Sequence, residues 1–480
     1  LAITVDGTGC SGLAVNGPVT LGDVDITLAR VAIGDAFGIN GTYTLITYTE
    51  GADPSVAGLR LANPHDGKRY TFAAASGAVT LTVASDDTGA DGSSLWQAPG
   101  GGEWTVAGNW VLAPGAGGVG QRVLFDDAIT APATVNLGSA ATVGTVYFNS
   151  TNAYALAGPA TLTLDNGAST QAVVSVERGS HAVSAPVAVP DAGLFVQAPS
   201  GTALTLAGAV SGSGPLVKAS GGNLIAAASS TRTGTTEIQS GELHLKDGGN
   251  VGSGELSLNG AYGVRAIGSA PSTLSNPLTL KSAPSGAPIF RMEEQPLTLS
   301  GVLDWQTGVG ILYKWGTNDL ILAGTGGSVS GAPKLYLRQG GLVFPSGADY
   351  TLTGNSRESV KLGLEQNNKT SLTVEEGARL SLGGLLVSAT APNTLGNDAW
   401  LTQNGGTLTL NAVSGDSGDA FYLRDWGRAP ATYVMNGGTF TMPAAAWANA
   451  GNCGPGRRMV NGGSMTLGRF AAGYQTVSNA

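Results

Sequence analysis

Paired carboxylates come closest to a catalytic pattern in this chain, and one pair follows a basic residue. Glu293 and Glu294 stand two and three positions after Arg291. Alternate side chains of a strand point to opposite faces, so Arg291 and Glu293 should share a face and Glu294 should point away. Polysaccharide lyases and hydrolases use acidic clusters with a neighbouring Arg or Lys. A solvated strand or turn edge gives the same pattern, and we favour that interpretation.

The histidines and the known short motifs add no catalytic pattern. His65, His181 and His244 are far apart and have no repeated spacing. The chain contains no HExxH, GxSxG or CxxC motif and no phosphate-binding loop. The glycine- and aspartate-rich nonapeptide that binds calcium is absent as well. The sequence therefore predicts no catalytic residue, no cofactor and no metal site.

Three tryptophans, Trp96, Trp104 and Trp110, lie close together in a glycine-rich stretch. Aromatic rings can stack on sugars, which would make these residues a glycan contact. They could instead form an apolar cap over the first coil of a repetitive β-structure, whose strand edges would otherwise be open. We favour the cap.

The two cysteines, Cys10 and Cys453, stand near opposite ends of the sequence. In an elongated molecule they would be too far apart for a bridge within one chain. Two unpaired thiols are the simplest interpretation. The alternative is a contact between neighbouring subunits, since disulfides persist outside the cytoplasm.

Composition excludes several classes of protein. Glycine accounts for 75 of 480 residues, more than twice the usual share of about 7%. Charged residues are 12% and hydrophobic residues 42%, which does not fit intrinsic disorder. The net charge is −9 and no run of Lys or Arg occurs, so nucleic acid is not an expected partner. No apolar run of about 18 residues is present, so no membrane span is expected in this segment.

Short alternating strands punctuated by glycine run through the chain, most clearly at residues 211–245. Apolar residues at every second position, bounded by Gly or Asn, predict half-buried strands. The motif Asn-Gly-Gly followed by such a strand occurs three times, beginning at Asn404, Asn436 and Asn461. Repetition at intervals of about 20–50 residues is typical of solenoids. We expect Asn-Gly to turn the chain sharply into each strand through a positive φ.

Residues 211–245 resemble the autotransporter-associated β-strand repeat, also called the passenger-associated transport repeat. The matching positions are Gly212, Gly214, Leu216, Lys218, Leu224, Thr233, Gly234, Thr236, Ile238, Gly241, Leu243 and Leu245. A second, degenerate copy places Lys314 at the position of Lys218. The resemblance implies a right-handed parallel β-helix in a secreted or surface-displayed bacterial protein.

The expected fold is all-β: a right-handed parallel β-helix, or β-solenoid, with an N-terminal β segment and a linker. Residues 1–90 resemble the closing part of a solenoid module, and residues 91–130 form a Gly/Trp-rich linker and cap. Residues 131–400 form the parallel β-helix with two degenerate repeats, and residues 401–480 carry the Asn-Gly-Gly coils. Because Leu1 opens directly in a strand-like segment, we expect a processed protein or a piece of a longer one.

The expected function is structural and non-enzymatic, in the extracellular space or on the cell surface of a bacterium. A β-solenoid of this kind would build a fibre, stalk or coat, with head-to-tail contacts propagating into a polymer or array. An autotransporter-like adhesin that binds a surface glycan is the alternative. A β-helix polysaccharide lyase or hydrolase is the third hypothesis.

Overall fold

A computed structural model describes most of the chain. The described residues are 2–6, 9–10, 12–22, 24–30, 41–61, 68–85, 93–111, 113–114, 117–168, 170–259, 263–281, 287–306, 308–329, 333–353, 358–363, 368–389, 398–411, 419–426, 430–451 and 456–472. The fold is almost entirely β, with parallel stacked sheets that form a β-solenoid of about 13 turns. Helix in the described part is limited to one 3-10 turn, η1 (Ala107–Asn109). The predicted all-β solenoid is confirmed.

Two compact units divide the chain, and the first comprises residues 1–225 and 230–234. It begins with eight strands that have a core of their own, which includes Ile26, Tyr43, Leu45 and Leu81. Two four-stranded sheets, β2-β1-β4-β6 and β3-β5-β8-β7, mix parallel and antiparallel pairs. The strands are β1 (Ala2–Asp6), β2 (Gly9–Cys10), β3 (Leu13–Val15), β4 (Val24–Arg30), β5 (Gly41–Tyr48), β6 (Leu59–Leu61), β7 (Lys68–Ala75) and β8 (Ala78–Ser85).

The solenoid coils of this first unit have three sides, and their neighbouring strands pair in parallel. The strands are β9 (Ser94–Leu95), β10 (Gly102–Glu103), β11 (Arg122–Phe125), β12 (Ala133–Asn136), β13 (Ala141–Val143), β14 (Thr145–Asn149), β15 (Tyr154–Ala157), β16 (Leu162–Leu164), β17 (Ala172–Arg178), β18 (Ser180–Val183), β19 (Val187–Ala188), β20 (Leu194–Gln197), β21 (Ala203–Leu206), β22 (Val210–Ser211), β23 (Leu216–Ala219) and β24 (Asn223–Ala226). One side stacks β12, β15, β18 and β21, the second β13, β16, β19 and β22, and the third β14, β17, β20 and β23.

The second unit, residues 226–229 and 235–480, repeats this parallel stacking. Its strands are β25 (Thr236–Ile238), β26 (Glu242–Lys246), β27 (Leu256–Asn259), β28 (Val264–Ile267), β29 (Ser272–Leu274), β30 (Leu278–Lys281), β31 (Ile289–Arg291), β32 (Leu297–Leu299), β33 (Leu303–Trp305), β34 (Ile311–Trp315), β35 (Leu320–Leu322), β36 (Gly326–Val329), β37 (Lys334–Leu337), β38 (Gly340–Phe344), β39 (Asp349–Leu352), β40 (Val360–Lys361), β41 (Thr370–Val374), β42 (Arg379–Leu382), β43 (Leu385–Ala389), β44 (Ala399–Gln403), β45 (Thr407–Leu410), β46 (Asp419–Trp426), β47 (Ala431–Met435), β48 (Thr439–Thr441), β49 (Trp447–Ala450), β50 (Gly456–Val460), β51 (Ser464–Thr466) and β52 (Arg469–Ala472). Its longest stack runs from β26 through β28, β31, β34, β37, β40, β43, β46 and β49 to β52.

Alternation of side chains explains how these short strands form a core. In β20, Leu194 and Val196 point inward and are fully buried, and they pair in register with Leu216 and Lys218 of β23. Parallel strands lie about 4.8 Å apart, so each inward residue packs on its counterpart in the next coil. A narrow apolar column therefore fills the inside of the coils, while polar residues occupy most outward positions.

Glycine is required where one coil turns close to the coil before it. Gly212 has a φ of 109°, and a Cβ there would collide with the carbonyl oxygen of Val189. Only glycine combines this backbone conformation with such a close approach. Steric constraints therefore explain why glycine occupies position 212, where the repeat motif opens.

The four-part domain division expected from the sequence stays a prediction.

Candidate functional site

The three tryptophans predicted to form a cap or a glycan contact are deeply buried. Trp96, Trp104 and Trp110 are each exposed by 2% or less. Trp110 stands edge-on to both others, with ring centroids 5.0 Å from Trp96 and 4.9 Å from Trp104. All three pack around Phe125 of β11, with ring centroids 5.6–6.3 Å from the Phe125 ring centroid. The indole N–H of Trp110 donates to the carbonyl oxygen of Trp104 at 2.8 Å.

This packing leaves no ring face of the tryptophans open to a sugar. Stacking on a sugar needs an exposed ring, whereas edge-to-face packing around a phenylalanine is typical of a core. The glycan interpretation of these three residues therefore has no support in the geometry. Their position at the first strands of the parallel coils fits the cap.

The other predicted contact residues, Cys10 and Cys453, cannot be placed as side chains. Cys10 belongs to β2, but its side chain lies outside the described part, and Cys453 lies outside the described residues altogether. A contact of these cysteines between subunits stays a prediction.

The structure builds a network of ion pairs around Arg291 that is larger than the predicted cluster. Arg265, in the preceding coil, contacts Glu293 at 2.8 Å and Glu294 at 3.2 Å. The Arg291 Nε donates to Glu242 Oε1 at 2.9 Å, and its Nη1 lies 3.8 Å from Glu293. The prediction that Glu294 lies on the face opposite Glu293 was wrong, since Arg265 contacts both glutamates. Because β31 ends at Arg291, the two glutamates lie beyond the strand, where alternation no longer applies.

These arginines belong to one row of outward side chains along successive coils of the second unit. His244, Arg265, Arg291 and Trp315 are direct register partners on β26, β28, β31 and β34. Arg338 follows in the next coil, where its backbone N–H donates to the carbonyl oxygen of Lys314 at 2.9 Å. We call His244, Arg265, Arg291, Trp315 and Arg338 the arginine–tryptophan ladder.

Guanidinium groups lie over the indole at the centre of the ladder. The guanidinium carbon of Arg338 is 4.4 Å from the ring centroid of Trp315, and that of Arg291 is 5.2 Å away. Stacking of this kind is attractive because the positive charge meets the negative face of the ring. The ladder is therefore pre-ordered, with its planar groups held by stacking and by ion pairs.

A second outward row runs beside the ladder and carries tyrosines. Tyr313 and Tyr336 are register partners whose rings meet edge to face at 6.0 Å. The Tyr336 hydroxyl donates to Glu358, and Lys361 Nζ lies 5.5 Å from the Tyr336 ring. Burial raises the pKa of Tyr336, and the carboxylate of Glu358 raises it further. The phenol therefore stays protonated at neutral pH and acts as a donor.

The contacts of the ladder favour the ionised form of Glu242. The hydrogen bond from His244 to Glu242, 3.0 Å long, lowers the pKa of that carboxyl against the opposing effect of burial, and Arg291 lowers it further. The arrangement offers fixed donors, fixed acceptors and aromatic rings along one surface. Sequence reasoning found only Arg291 and its two glutamates. The other members recur at uneven sequence intervals, so no fixed spacing marked them in the sequence.

Two buried lysines are a second feature of the structure. The sequence placed Lys218 and Lys314 at matching positions of the repeat but did not indicate their role. Lys314 points inward, is fully buried, and donates to the carbonyl oxygens of Gly316 at 2.6 Å, Gln339 at 2.7 Å and Asn318. Lys218 is equally buried and donates to the carbonyl oxygens of Ala219 and Ser220, both at 2.7 Å. Burial lowers the pKa of each lysine to about 7. The two motif lysines therefore have the same role: each donates hydrogen bonds to backbone carbonyl oxygens and so fixes the chain where it leaves a strand.

The three Asn-Gly-Gly motifs form a side-chain ladder on the outside of the last coils. Asn436 Nδ2 donates to Asn404 Oδ1 at 2.9 Å, and Asn461 Nδ2 donates to Asn436 Oδ1 at 2.8 Å. Asn404 in turn donates to both carboxylate oxygens of Glu375, at 3.1 and 3.0 Å. The positive φ that we expected from Asn-Gly belongs to the last glycine of each motif, at 64°, 82° and 90° for Gly406, Gly438 and Gly463. The asparagine side chains thus link successive coils through hydrogen bonds, and the second glycine of each motif allows the backbone to turn.

Within the described ranges, no group of three or more His, Cys, Asp or Glu side chains is arranged to hold a metal ion. Among the same residues, no helix has the length and apolarity to cross a membrane. Comparison of the chain with family models, with curated proteins and with solved structures found no match.

Proposed function

We propose that this chain is a non-enzymatic structural protein of the bacterial cell surface or extracellular space. In this proposal the β-solenoid builds a fibre, stalk or coat. The observation that carries it is the regular ladder of bonded side chains from coil to coil. Glu375, Asn404, Asn436 and Asn461 form one such ladder, in which each member bonds the next. Such ladders add stiffness along the stacking direction, which is the property a rod needs.

Inward ladders support the same proposal. Leu372, Leu401 and Tyr433 are register partners in three successive coils, and all are fully buried. Each coil can bury its apolar face only against its neighbours, so stability grows with the number of stacked coils. A solenoid of this kind is therefore stabilised by adding coils along the stacking direction.

Head-to-tail contact between copies is the assembly that we propose for the fibre. In the last described coil, Met459, Val460 and Phe470 are exposed by 44%, 50% and 49%. Among the described residues, β50, β51 and β52 pair along one edge only, and large apolar side chains exposed beside such an edge favour pairing with a further strand or coil. A second copy of the chain would supply one.

Electron microscopy of the purified chain tests this proposal. We expect unbranched filaments with a regular axial repeat, and we expect Phe470→Asp to shorten or abolish them because it places a charge in the apolar contact. Trp400→Asp is the matched control, since Trp400 is 41% exposed but lies on the side of a coil. Only single particles at every protein concentration would contradict the fibre.

A reducing agent adds a second arm to the same experiment. Loss of filaments on reduction, reproduced by Cys10→Ser or Cys453→Ser, would identify the cysteines as the inter-subunit bond. Filaments that survive reduction would leave the two thiols unpaired and the apolar contact sufficient.

A further inference from the structure

We propose that the arginine–tryptophan ladder, with the glutamates bonded to it, binds an uncharged polysaccharide chain laid along the stacking direction, through hydrogen bonds to the sugar hydroxyl groups. This binding role is additional to the structural role and does not depend on filament formation.

The spacing of the ladder indicates the shape of the ligand. One large planar side chain stands in each of five successive coils, from His244 to Arg338, and parallel strands are about 4.8 Å apart. His244 is buried, so a ligand that touches the partly exposed positions from Arg265 to Arg338 must be extended and must repeat at a similar interval. A linear chain of pyranose units has both properties, whereas a small molecule would use only one or two positions.

The charges of the ladder indicate an uncharged ligand. Arg265 and Arg291 already face Glu242, Glu293 and Glu294 in ion pairs of 2.8–3.8 Å. A polyanion would have to displace these internal partners, and a polycation would have to displace the arginines. Sugar hydroxyls need no displacement, because each carboxylate keeps free lone pairs and each guanidinium has five N–H donors. The side chains of this network are 26–47% exposed, so they can be reached.

Pre-ordering of the ladder favours binding to a hydroxyl-rich surface. Ion pairs and cation–π stacking already fix the guanidinium groups, so little side-chain entropy is lost when a ligand arrives. Hydrogen bonds with charged donors or acceptors are also stronger than those between neutral groups.

Two N–H groups of the ladder are among the buried polar atoms of the described residues that lack a hydrogen-bond partner. Within the described part of the chain, Trp315 Nε1 and Arg265 Nε are buried without a hydrogen-bond acceptor. Native structures rarely leave buried donors unpaired, and local departures from this rule concentrate at functional sites. Both groups belong to the ladder.

Binding of the full chain to soluble polysaccharides tests the proposal. The probes are hydroxyethyl cellulose, galactomannan and xylan as uncharged chains, and carboxymethyl cellulose as a charged chain. Affinity electrophoresis identifies a bound polysaccharide and calorimetry measures its affinity. We expect at least one uncharged probe to bind, and carboxymethyl cellulose to bind no more tightly than hydroxyethyl cellulose.

Variants locate the binding on the ladder. Arg291→Lys keeps the charge but removes the planar fork, and Trp315→Leu removes the ring on which the Arg291 and Arg338 guanidinium groups stack. Arg291→Lys should weaken binding about tenfold, which is the effect of losing one hydrogen bond to a charged group. Trp315→Leu should weaken it by a similar factor, because the guanidinium groups lose their pre-ordering. Arg379→Lys is the matched control, because Arg379 is exposed on β42 in another sheet. It should leave the affinity unchanged.

Three outcomes would overturn the proposal. They are the failure of every uncharged probe to bind, tighter binding of carboxymethyl cellulose than of hydroxyethyl cellulose, and unchanged binding by both ladder variants. Thermal unfolding of each variant is measured in parallel. Should Trp315→Leu fail to fold, Arg291→Lys decides the question, since it conserves charge and most of the volume.

Discussion

The buried lysines show how single residues hold the coils together. Lys314 donates to three carbonyl oxygens, and no carboxylate oxygen lies within salt-bridge distance of it among the described residues. An ammonium in this position satisfies backbone acceptors that would otherwise be buried without a donor. The cost is the desolvation of a charge, which is why the pKa falls to about 7 although the nearby Asp319 raises it.

This balance predicts a pH-dependent stability that Lys314→Met should reduce. The folded-state pKa of about 7 lies below the ordinary value of 10.5, so the unfolded chain binds more protons between these values. The unfolding free energy of the wild type should therefore rise from pH 7 to pH 10. Below pH 7 the lysine is protonated in both states, so it should cause no change of stability with pH there. Lys314→Met should make that rise smaller, with Lys218 still contributing to it, and should lower stability at pH 7 by about 1–3 kcal/mol because carbonyls lose their donor.

Chemical denaturation at half-unit steps from pH 6 to pH 9.5 measures this effect. Lys369→Met is the control, because the Lys369 side chain is exposed. An unchanged stability of the wild type between pH 7 and pH 9.5 would contradict this prediction. It would mean that the hydrogen bonds to the three carbonyl oxygens stabilise the ammonium more than desolvation destabilises it, so that the pKa of Lys314 stays high.

The tryptophan cluster gives a second test at the scale of single residues. Trp104→Ala should lower the unfolding free energy by about 3–5 kcal/mol, the usual cost of removing a buried aromatic side chain. Trp400→Ala should cost little, because Trp400 is 41% exposed whereas Trp104 is 1% exposed. Denaturant unfolding followed by circular dichroism compares the two. Equal effects would mean that Trp104 is not part of a cap.

At the scale of elements, the asparagine ladder links successive coils through exposed side chains. Asn436 both donates and accepts a ladder bond, whereas Asn461 makes one such bond. Asn436→Ala should therefore cost about twice as much stability as Asn461→Ala, on the order of 1–2 kcal/mol in total. Thermal unfolding of the two variants measures this ratio. A cost for Asn436→Ala no larger than for Asn461→Ala would show that the ladder bonds add nothing beyond single contacts.

The glycines of the same motif should differ sharply from each other. Gly438 has a φ of 82°, and a Cβ there would collide with the carbonyl oxygen of Gly406. A Cβ on Gly437 would come no closer than 3.1 Å to the carbonyl oxygen of Asn404. Gly438→Ala should cost at least about 1–2 kcal/mol from the left-handed backbone alone, and Gly437→Ala much less. Comparable melting temperatures for the two variants would contradict the turn geometry.

Strand positions were largely predictable from the sequence because the pattern that encodes them is local. The alternation at Leu194–Val196 or Leu216–Lys218 places apolar residues inward without any knowledge of the neighbours. The arginine–tryptophan ladder was not predictable in the same way. Arg265, Arg291 and Trp315 come together only through the register between coils, and coil lengths vary, so their alignment could not be read from spacing.

Local rules also failed where strands end. Alternation misplaced Glu294 because the strand stops at Arg291, and the positive φ expected at Asn-Gly lies at the second glycine of each Asn-Gly-Gly motif. Both cases concern turns, whose geometry depends on the coil beneath as much as on the turn residues themselves.

At the scale of the whole molecule, charge is distributed unevenly, and this bears on assembly. The chain has a net charge of −9, yet no Asp or Glu occurs after Asp425. Arg457, Arg458 and Arg469 are exposed in the last described coil, and the Arg458 guanidinium carbon lies 4.9 Å from the Phe470 ring centroid. A basic, apolar surface on an acidic chain is complementary to other copies of that chain.

Filament formation should therefore weaken with salt and with loss of these arginines. At 0.1 M ionic strength the Debye length is about 10 Å, and at 1 M it is about 3 Å, so attraction between exposed charges fades over that range. Arg458→Glu should slow assembly and raise the protein concentration at which filaments appear, while Arg379→Glu, on the side of a coil, should not. Light scattering across a salt series follows both. Assembly that strengthens with salt, together with unchanged behaviour of Arg458→Glu, would mean that apolar contact through Phe470 and its neighbours acts without electrostatic help.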